Sequence, residues 1–266
     1  MGEGSYRKLE TCRVAVAGAG NVAWHLVHAM AGAGFKIEQV CSRTLQSARE
    51  LAAVAGAEAL AEFNAIDPTV DLCVVCVTDS AVADVARALP PMQGVVVHTS
   101  GTVPMDTLMQ SAERVGVLYP LQTFSRDRGL DITEVPFFTE ASDSITLDFI
   151  DNVVRAIGAR AIHADSEARA LLHVAGVLAC NFPNYLLGCA RDVLARGGFG
   201  LEVLKPLVEE TIAKSFQMGP DEAQTGPARR GNVRTIEKHT EMLPPEQASI
   251  YARLSEAILK KYHNNE

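Results

Sequence analysis

Positive charge is scarce in this 266-residue sequence. Lys and Arg number 24 against 32 Asp and Glu, for a net charge of −8 and a pI of about 5.4. Nucleic acid and anionic membrane both reward a basic face, so neither is an expected partner. Any anion site must be a local concentration of arginines and backbone N–H donors. The segment Met1–Thr11 is polar and lacks the apolar core of a secretion signal, and no segment reads as an uninterrupted membrane span. Several catalytic signatures are missing. There is no Tyr-x-x-x-Lys pair, so short-chain dehydrogenase chemistry has no catalytic unit, and there is no Walker lysine motif, G-x-S-x-G elbow or H-E-x-x-H. Repeats and low-complexity tracts are also absent. The six cysteines (Cys12, Cys41, Cys73, Cys76, Cys180 and Cys189) are scattered, mostly inside apolar runs. Cys73 and Cys76 form a C-x-x-C, but within an expected strand, Leu72 to Val77. Residues three apart on a strand face opposite sides, so the pair is expected in the core, with no metal site. A cytoplasmic, reduced protein is expected.

What the chain does have is ordinary globular composition, 48% hydrophobic and 21% charged, at a length that allows a full core and two domains. Its most informative stretch is Val14-Ala-Val-Ala-Gly-Ala-Gly-Asn-Val-Ala23. An apolar strand-type run stops at Gly18, Gly20 and Ala23 follow, and a helix begins. This is the dinucleotide fingerprint with Ala in the third place. Gly18 permits the tight turn, Gly20 lets a diphosphate approach the backbone, and Ala23 lets the helix pack closely on the strand. Asn21 and Val22 belong to the same turn, whose free N–H groups and helix dipole favour phosphate.

The residue after the second strand contacts the adenosine ribose. An NAD site places Asp or Glu there, about 20 residues beyond the glycines. Here the sequence is Ser42-Arg43-Thr44. A carboxylate repels a 2′-phosphate, whereas serine and arginine bind one. A charge-assisted hydrogen bond of roughly 1.5–3 kcal/mol lets Arg43 favour NADP over NAD by about 10–100-fold. The plainer alternative is a solvated arginine at a helix start. The missing acid also argues against S-adenosylmethionine, whose free ribose diol suits a carboxylate.

Periodicity predicts strands over Arg13–Ala17, Lys36–Cys41, Glu58–Leu60, Leu72–Val77, Val95–His98, Gly116–Leu121, Val135–Glu140 and Ala159–His163. Helices are expected over Asn21–Ala33, Leu45–Val54, Ser80–Leu89 with Asp79 as cap, and Ser144–Ile157. This is an α/β pattern, a doubly wound, mostly parallel Rossmann sheet with extra strands at one edge. After Ala164 the pattern turns all-helical. A long segment capped by Asp165 or Ser166 runs to about Arg196, then Leu201–Phe216, a loop from Gly219 to Pro227, Asn232–Met242 and Pro245–Tyr262. The expected domains are therefore 1–164, binding NADP, and 165–266, helical, for substrate and dimerisation. Leu171, Leu172, Val174, Ala175, Val177 and Leu178 point in several directions around one helix, which is then buried on more than one side, either in a homodimer or within the chain.

Ligands of such sheets bind beyond the carboxyl ends of the strands. Thr78-Asp79-Ser80 lies there on the cofactor side, with His98-Thr-Ser-Gly-Thr102 and Tyr119-Pro-Leu-Gln-Thr-Phe-Ser125. Ser100 and Thr102 either bind substrate or the nicotinamide amide, or belong to a turn that merely ends a strand. Gln122 either faces the cleft or satisfies loop backbone. On the long helix, at about 100° per residue, Cys180 and Asn184 fall within roughly 20° of His173, and Asn181 about 80° away. His173 suits proton donation near neutral pH, and Asn181 and Asn184 suit orienting a carbonyl or imine. Pro183 bends the helix between them. Gln224-Thr-Gly-Pro-Ala-Arg-Arg230 either binds a carboxylate or cofactor, or is a solvated surface loop.

Together, Gly18-Ala-Gly-Asn-Val-Ala23, Ser42-Arg-Thr44, Val97-His-Thr-Ser-Gly101, Tyr119-Pro-Leu-Gln-Thr-Phe-Ser125, Asn181-Phe-Pro-Asn184 and Gln224-Thr-Gly-Pro227 resemble a bacterial family of Rossmann-like proteins with a helical C-terminal domain of unknown function, described as NADP oxidoreductases. The resemblance covers nearly the whole chain. More distantly the architecture is similar to pyrroline-5-carboxylate reductase, ketopantoate reductase, the 6-phosphogluconate and hydroxyacid dehydrogenases and the coenzyme F420-dependent NADP reductases. It implies NADP as cofactor. The hydroxyacid enzymes and ketopantoate reductase carry a catalytic Lys four residues before an Asn on the long helix, and here Val177 holds that place before Asn181. His173, one turn earlier, is the substitute. Imine reduction needs less acid–base help. The two functions expected are an NADP(H)-dependent reductase of a small carbonyl or imine metabolite and a non-catalytic NADP-binding sensor or regulatory dimer.

Overall fold

Short runs of β-branched and small apolar residues form the centre of the sheet. In the computed structural model, which describes residues 11–263, Arg13–Ala17 (β1), Leu72–Val75 (β4), Val95–His98 (β5) and Val115–Pro120 (β6) are almost wholly buried. Both faces are covered, as in parallel sheets generally. With Lys36–Cys41 (β2), Glu58–Leu60 (β3), Pro136–Ala141 (β7) and Arg160–His163 (β8), they make one eight-stranded sheet of order β3-β2-β1-β4-β5-β6-β7-β8. Pairing is parallel from β3 to β6, antiparallel between β6 and β7, and parallel again between β7 and β8. The order reverses between β1 and β4, and that switch point is where such sheets bind ligands.

Alternation along the strands separates two cores. Val14, Val16, Leu72, Val74 and Cys76 pack beneath the helices Asn21–Gly32 (α1), Leu45–Ala55 (α2) and Ser144–Ala156 (α4). Ala15, Ala17, Cys73 and Val75 pack on the other face with Val82–Ala88 (α3). Cys73 and Cys76 thus lie in different cores, as expected of the C-x-x-C. Burial pushes both thiols up to about 12.

The chain divides into two compact units, residues 1–178 and 179–266. The last strand ends at His163 and the helix Ser166–Gly176 (α5) follows, with the Asp165 side chain accepting from the Ala168 N–H as its cap. Compared with the expected boundary after Ala164, α5 falls with the sheet. The reason is Arg169, fully buried, which pairs with Glu140 of β7 and donates to the Val103 carbonyl at 2.7 Å. The second unit contains Phe182–Ala195 (α6), Lys205–Met218 (α7), Pro220–Ala223 (α8), Val233–Glu241 (α9) and Pro245–His263 (α10). The side chain of Asn232 caps α9 by accepting from the Thr235 N–H at 3.2 Å.

Several details differ from the sequence expectation. Asp79 does not cap α3. Residues Asp79–Ala81 form a 3-10 turn, and the carboxylate accepts instead from the Thr102 hydroxyl. The expected helix from Leu201 starts as a 3-10 turn, Leu201–Leu204, before α7, and the loop after Gly219 holds the short α8. The run Ser166–Ala195 has the length and composition to cross a membrane, with mean hydropathy 1.4 over its best window, contrary to the sequence reading. Nor is it buried on several sides within the chain, since Leu171, Val174, Leu178 and Phe182 are more than half exposed.

Candidate functional site: a nucleotide cleft and a Tyr–His pair

The turn between β1 and α1 is set by sterics. Gly18 has φ of +123°, and a Cβ there would lie 2.1 Å from the Cys76 carbonyl oxygen. Only glycine fits, because the turn is pressed against the end of β4. Gly18 N–H donates to the Cys41 carbonyl at 2.7 Å, tying the turn to β2 as well. Gly20 differs. It is exposed, and a Cβ there would meet nothing within 4 Å. No side chain caps α1 and no acid stands in its first turn, so the helix start offers its N–H groups and dipole to an anion. Ala23 is fully buried against the sheet, as close packing requires.

Gly18, Ala19 and Gly20 open onto a cleft of about 600 Å³ that runs to Ser42, Arg43 and Ser47 on one side and to Val77, Thr78 and Ala81 on another. Arg43 is exposed and Ser42 half-buried. The cleft fits a phosphorylated dinucleotide: backbone amides at the glycines, then two hydroxyls and a guanidinium where a 2′-phosphate would lie. Glu62 and Asp84 also line it, acids that strand counting did not reveal because they arrive from beyond β3 and from α3. Of the other expected cofactor residues, Asn21 donates its side-chain amide to the Phe124 carbonyl at 3.0 Å. Val22 is half-buried on α1, and Thr44 immediately precedes α2. Asp79 is held by Thr102, and Ser80 is exposed, its hydroxyl 3.4 Å from that of Thr78.

A second cluster gathers at the ends of β5 and β6. His98 is fully buried. Its Nδ1 accepts from the Ser100 N–H at 3.2 Å, and its Nε2 has no full hydrogen-bond partner, only an approach to the Pro104 carbonyl. Burial, then the Arg169 guanidinium, pushes this imidazole down to about 4. Ser100 is buried, and its Oγ accepts from the N–H groups of Thr102 and Val103 at 3.1 and 3.0 Å. That oxygen holds the turn together. Gln122 is exposed, and its side-chain oxygen accepts from the Thr123 N–H at 2.8 Å.

His173, half-buried on α5, meets the Tyr119 hydroxyl through Nδ1 at 3.2 Å. Gly101 makes room for this contact, for a Cβ there would sit 2.8 Å from His173 Nδ1 and 2.8 Å from Tyr119 Cζ. Burial, then the Asp79 carboxylate, raises the Tyr119 pKa, so the phenol keeps its proton at neutral pH. Tyr119 is not distinguished within its motif by sequence alone, because pairing β6 with α5 depends on tertiary contacts.

Asn181 and Asn184 are exposed in the helical unit. Residues Val177–Asn181 are π-helical, ahead of Pro183 in the first turn of α6. A count of 100° per residue therefore does not carry from His173 past Val177, and the expected stripe is broken. In the Gln224–Arg230 loop, the Gln224 amide donates to the Thr225 carbonyl and Arg229 lies over the Tyr262 ring at 4.3 Å. Among the described residues, no group of three or more His, Cys, Asp and Glu could hold a metal ion.

Comparisons with known proteins agree with this geometry. Residues 13–100 match the family described as "NADP oxidoreductase coenzyme F420-dependent", and residues 135–258 match a domain of unknown function, DUF2520. The crystal structure of "putative NADP oxidoreductase BF3122" from Bacteroides fragilis is 36% identical, covers 95% of this chain and 100% of its own, and superposes with a TM-score of 0.88. A reductive aminase from Aspergillus terreus, solved with NADPH and ethyl levulinate, is 16% identical with 94% of each chain covered and a TM-score of 0.70. An imine reductase from Streptomyces aurantiacus is 16% identical, with 95% of this chain and 93% of its own covered and a TM-score of 0.64. The last two share the fold. No curated protein matches the chain.

Proposed function

This chain belongs to the family that joins an N-terminal domain of the NADP oxidoreductase type to a C-terminal DUF2520 domain, and we propose that it reduces a small carbonyl or imine compound with NADPH. The observation that carries the reading is the glycine turn, closed to a side chain at Gly18 and open at Gly20, at the mouth of a cleft that ends on Ser42 and Arg43. Bound NADPH supplies the hydride. The chain does the rest.

The α1 amides hold the diphosphate, and Ser42, Arg43 and Ser47 hold the 2′-phosphate. Tyr119, kept protonated, donates to His173 Nδ1 and so fixes the tautomer with its proton on Nε2. His173 Nε2–H hydrogen-bonds the oxygen or nitrogen that gains negative charge as the carbonyl or imine is reduced. As that proton passes to the substrate, the Tyr119 hydroxyl gives its own to Nδ1, so the imidazole stays neutral and the phenolate is reprotonated from solvent. The exposed amides of Asn181 and Asn184 are suited to hydrogen-bond a carbonyl or imine. No lysine occurs between Ser166 and Ala195, so the lysine chemistry of hydroxyacid dehydrogenases has no side chain to carry it on this run.

A panel of small carbonyl and imine compounds, followed by NADPH absorbance, tests the proposal. Turnover of a member is expected, and His173→Ala should lower kcat by about 100-fold or more. Unchanged turnover in that variant removes His173 as donor. Tight NADP binding with no turnover across the panel favours the second reading, an NADP-binding sensor, which the lysine's absence supports.

We also propose that the helical region pairs with a second copy of the chain. From Ala179 on, Ala223, Ala228 and Ile236 are the buried apolar residues among those described, while Leu186, Leu207, Ile212 and Phe216 remain exposed. So small a core is insufficient for a stable unit on its own. His173, Asn181 and Asn184 along the Ser166–Ala195 run disfavour a lipid environment. A monomer in sedimentation at micromolar concentration would remove this part of the reading.

A further inference from the structure

Residues 121–130 follow β6 and lie against α1, pinned there by several side chains. The Asn21 amide donates to the Phe124 carbonyl at 3.0 Å, His25 Nε2 sits 3.0 Å from the Ser125 carbonyl, and the rings of His25 and Phe124 pack with centroids 5.3 Å apart. The segment so held carries Arg126. Its Nη2 donates to the carbonyl of Ala19, inside the glycine turn, and its guanidinium lies 5.3 Å from the centre of the Trp24 ring. Nη1 is 3.8 Å from a Glu50 carboxylate oxygen, too far for a hydrogen bond, and about 29% of the side chain is exposed. A guanidinium has five N–H donors, so one bond to Ala19 leaves most of them available.

Charge makes this placement significant. Among the described residues lining the cleft, Arg43 is cationic while Glu62 and Asp84 are acidic. Arg43 stands at the ribose end. A dinucleotide brings two further negative charges to the turn at Ala19 and Gly20, where the helix start supplies only partial positive charge. Arg126 is a full charge already touching that turn, on a segment that is otherwise an irregular loop.

We propose that Arg126 is a diphosphate-binding residue, carried to the glycine turn by the docked segment 121–130. This rests on the assignment of the cleft to NADP. The role is separable from that of Arg43. Arg126 acts on a group common to NADP and NAD, whereas Arg43 acts on the 2′-phosphate that only NADP carries.

The test is calorimetric titration of the full chain with NADP⁺ and with NAD⁺, for wild type, Arg126→Ala and Arg126→Gln, with fluorescence of Trp24, the single tryptophan, as a second readout. Arg126→Ala should raise both dissociation constants by about tenfold or more and leave their ratio unchanged. Arg126→Gln keeps an N–H donor on a shorter side chain but lacks the charge. It should lose affinity like the alanine variant if charge on the diphosphate is what matters, and bind like wild type if Arg126 merely anchors the loop. Wild-type affinity in either variant overturns the proposal, as does a loss confined to NADP⁺. Failure of the wild type to bind either nucleotide refutes the cleft assignment itself and this role with it.

Discussion

The clearest energetic consequence of the site lies in His98. This imidazole ends β5 with no exposed surface, and burial, reinforced by Arg169, holds its pKa near 4. The Pro104 carbonyl and the Asp79 carboxylate oppose the shift but do not cancel it. In the unfolded chain a histidine titrates near 6.5. Between those values the unfolded state binds more protons than the folded state, so stability rises with pH there. The contribution of neutral His98 is complete above about pH 6.5 and is lost as pH falls through 4. From about pH 7 to 4.5 the loss from this one residue is about 2–3 kcal/mol, a large fraction of a typical domain's stability. The measurement is denaturant unfolding across that range for wild type and His98→Asn, whose side-chain oxygen can accept the Ser100 N–H in place of Nδ1. Other acid-titrating groups are common to both proteins and cancel in the difference. Wild type should lose about 2–3 kcal/mol relative to the variant as pH drops. A difference that is flat with pH, or a folded-state resonance of the His98 imidazole, identified by its loss in His98→Asn, titrating near 6.5, refutes the reasoning.

Three further outcomes are expected. Gly18→Ala forces a side chain against the Cys76 carbonyl at an unfavourable φ, so it should cost about 1–3 kcal/mol in thermal unfolding and abolish nucleotide binding; Gly20→Ala should leave stability nearly unchanged and weaken binding alone. Arg43→Ala should weaken NADP⁺ by about tenfold, the lower end for an exposed charge-assisted bond, and spare NAD⁺, whereas equal losses would show that Arg43 does not read the 2′-phosphate. In thiol labelling of native protein, exposed Cys180 should react first, while Cys12, Cys73 and Cys76, pushed up to about 12 by burial, and Cys41, at about 11, should wait for unfolding. Rapid labelling of all six would contradict the packing of β1, β2 and β4.

Much of the sheet was legible in sequence because its information is local. Strand-type segments such as Arg13–Ala17, ended by Gly18, and Val95–His98, preceded by Gly94, mark β1 and β5, and β2 and β3 likewise have the same bounds in sequence and structure. The spacing of Gly18 and Gly20 marks the turn, in which a Cβ is excluded at Gly18 and meets nothing at Gly20. What could not be read is what depends on elements meeting. The Tyr119–His173 contact joins residues 54 apart, and the Arg126–Ala19 contact joins residues 107 apart. Which of its two readings Ser100 takes could not be decided in a string of letters, because the bonds its oxygen accepts from the Thr102 and Val103 N–H groups depend on the turn's geometry. The helical stripe failed for a different reason. A π-helical stretch before Pro183 breaks the regular advance per residue on which the count relied.

The central claim is that the cleft beside Gly18, Gly20 and Arg43 holds NADP. Isothermal calorimetry of the purified wild-type chain with NADP⁺ and NAD⁺ tests it most directly. Saturable binding of both is predicted, with NADP⁺ tighter by about 10–100-fold. No heat with either nucleotide, or a clear preference for NAD⁺, would contradict it.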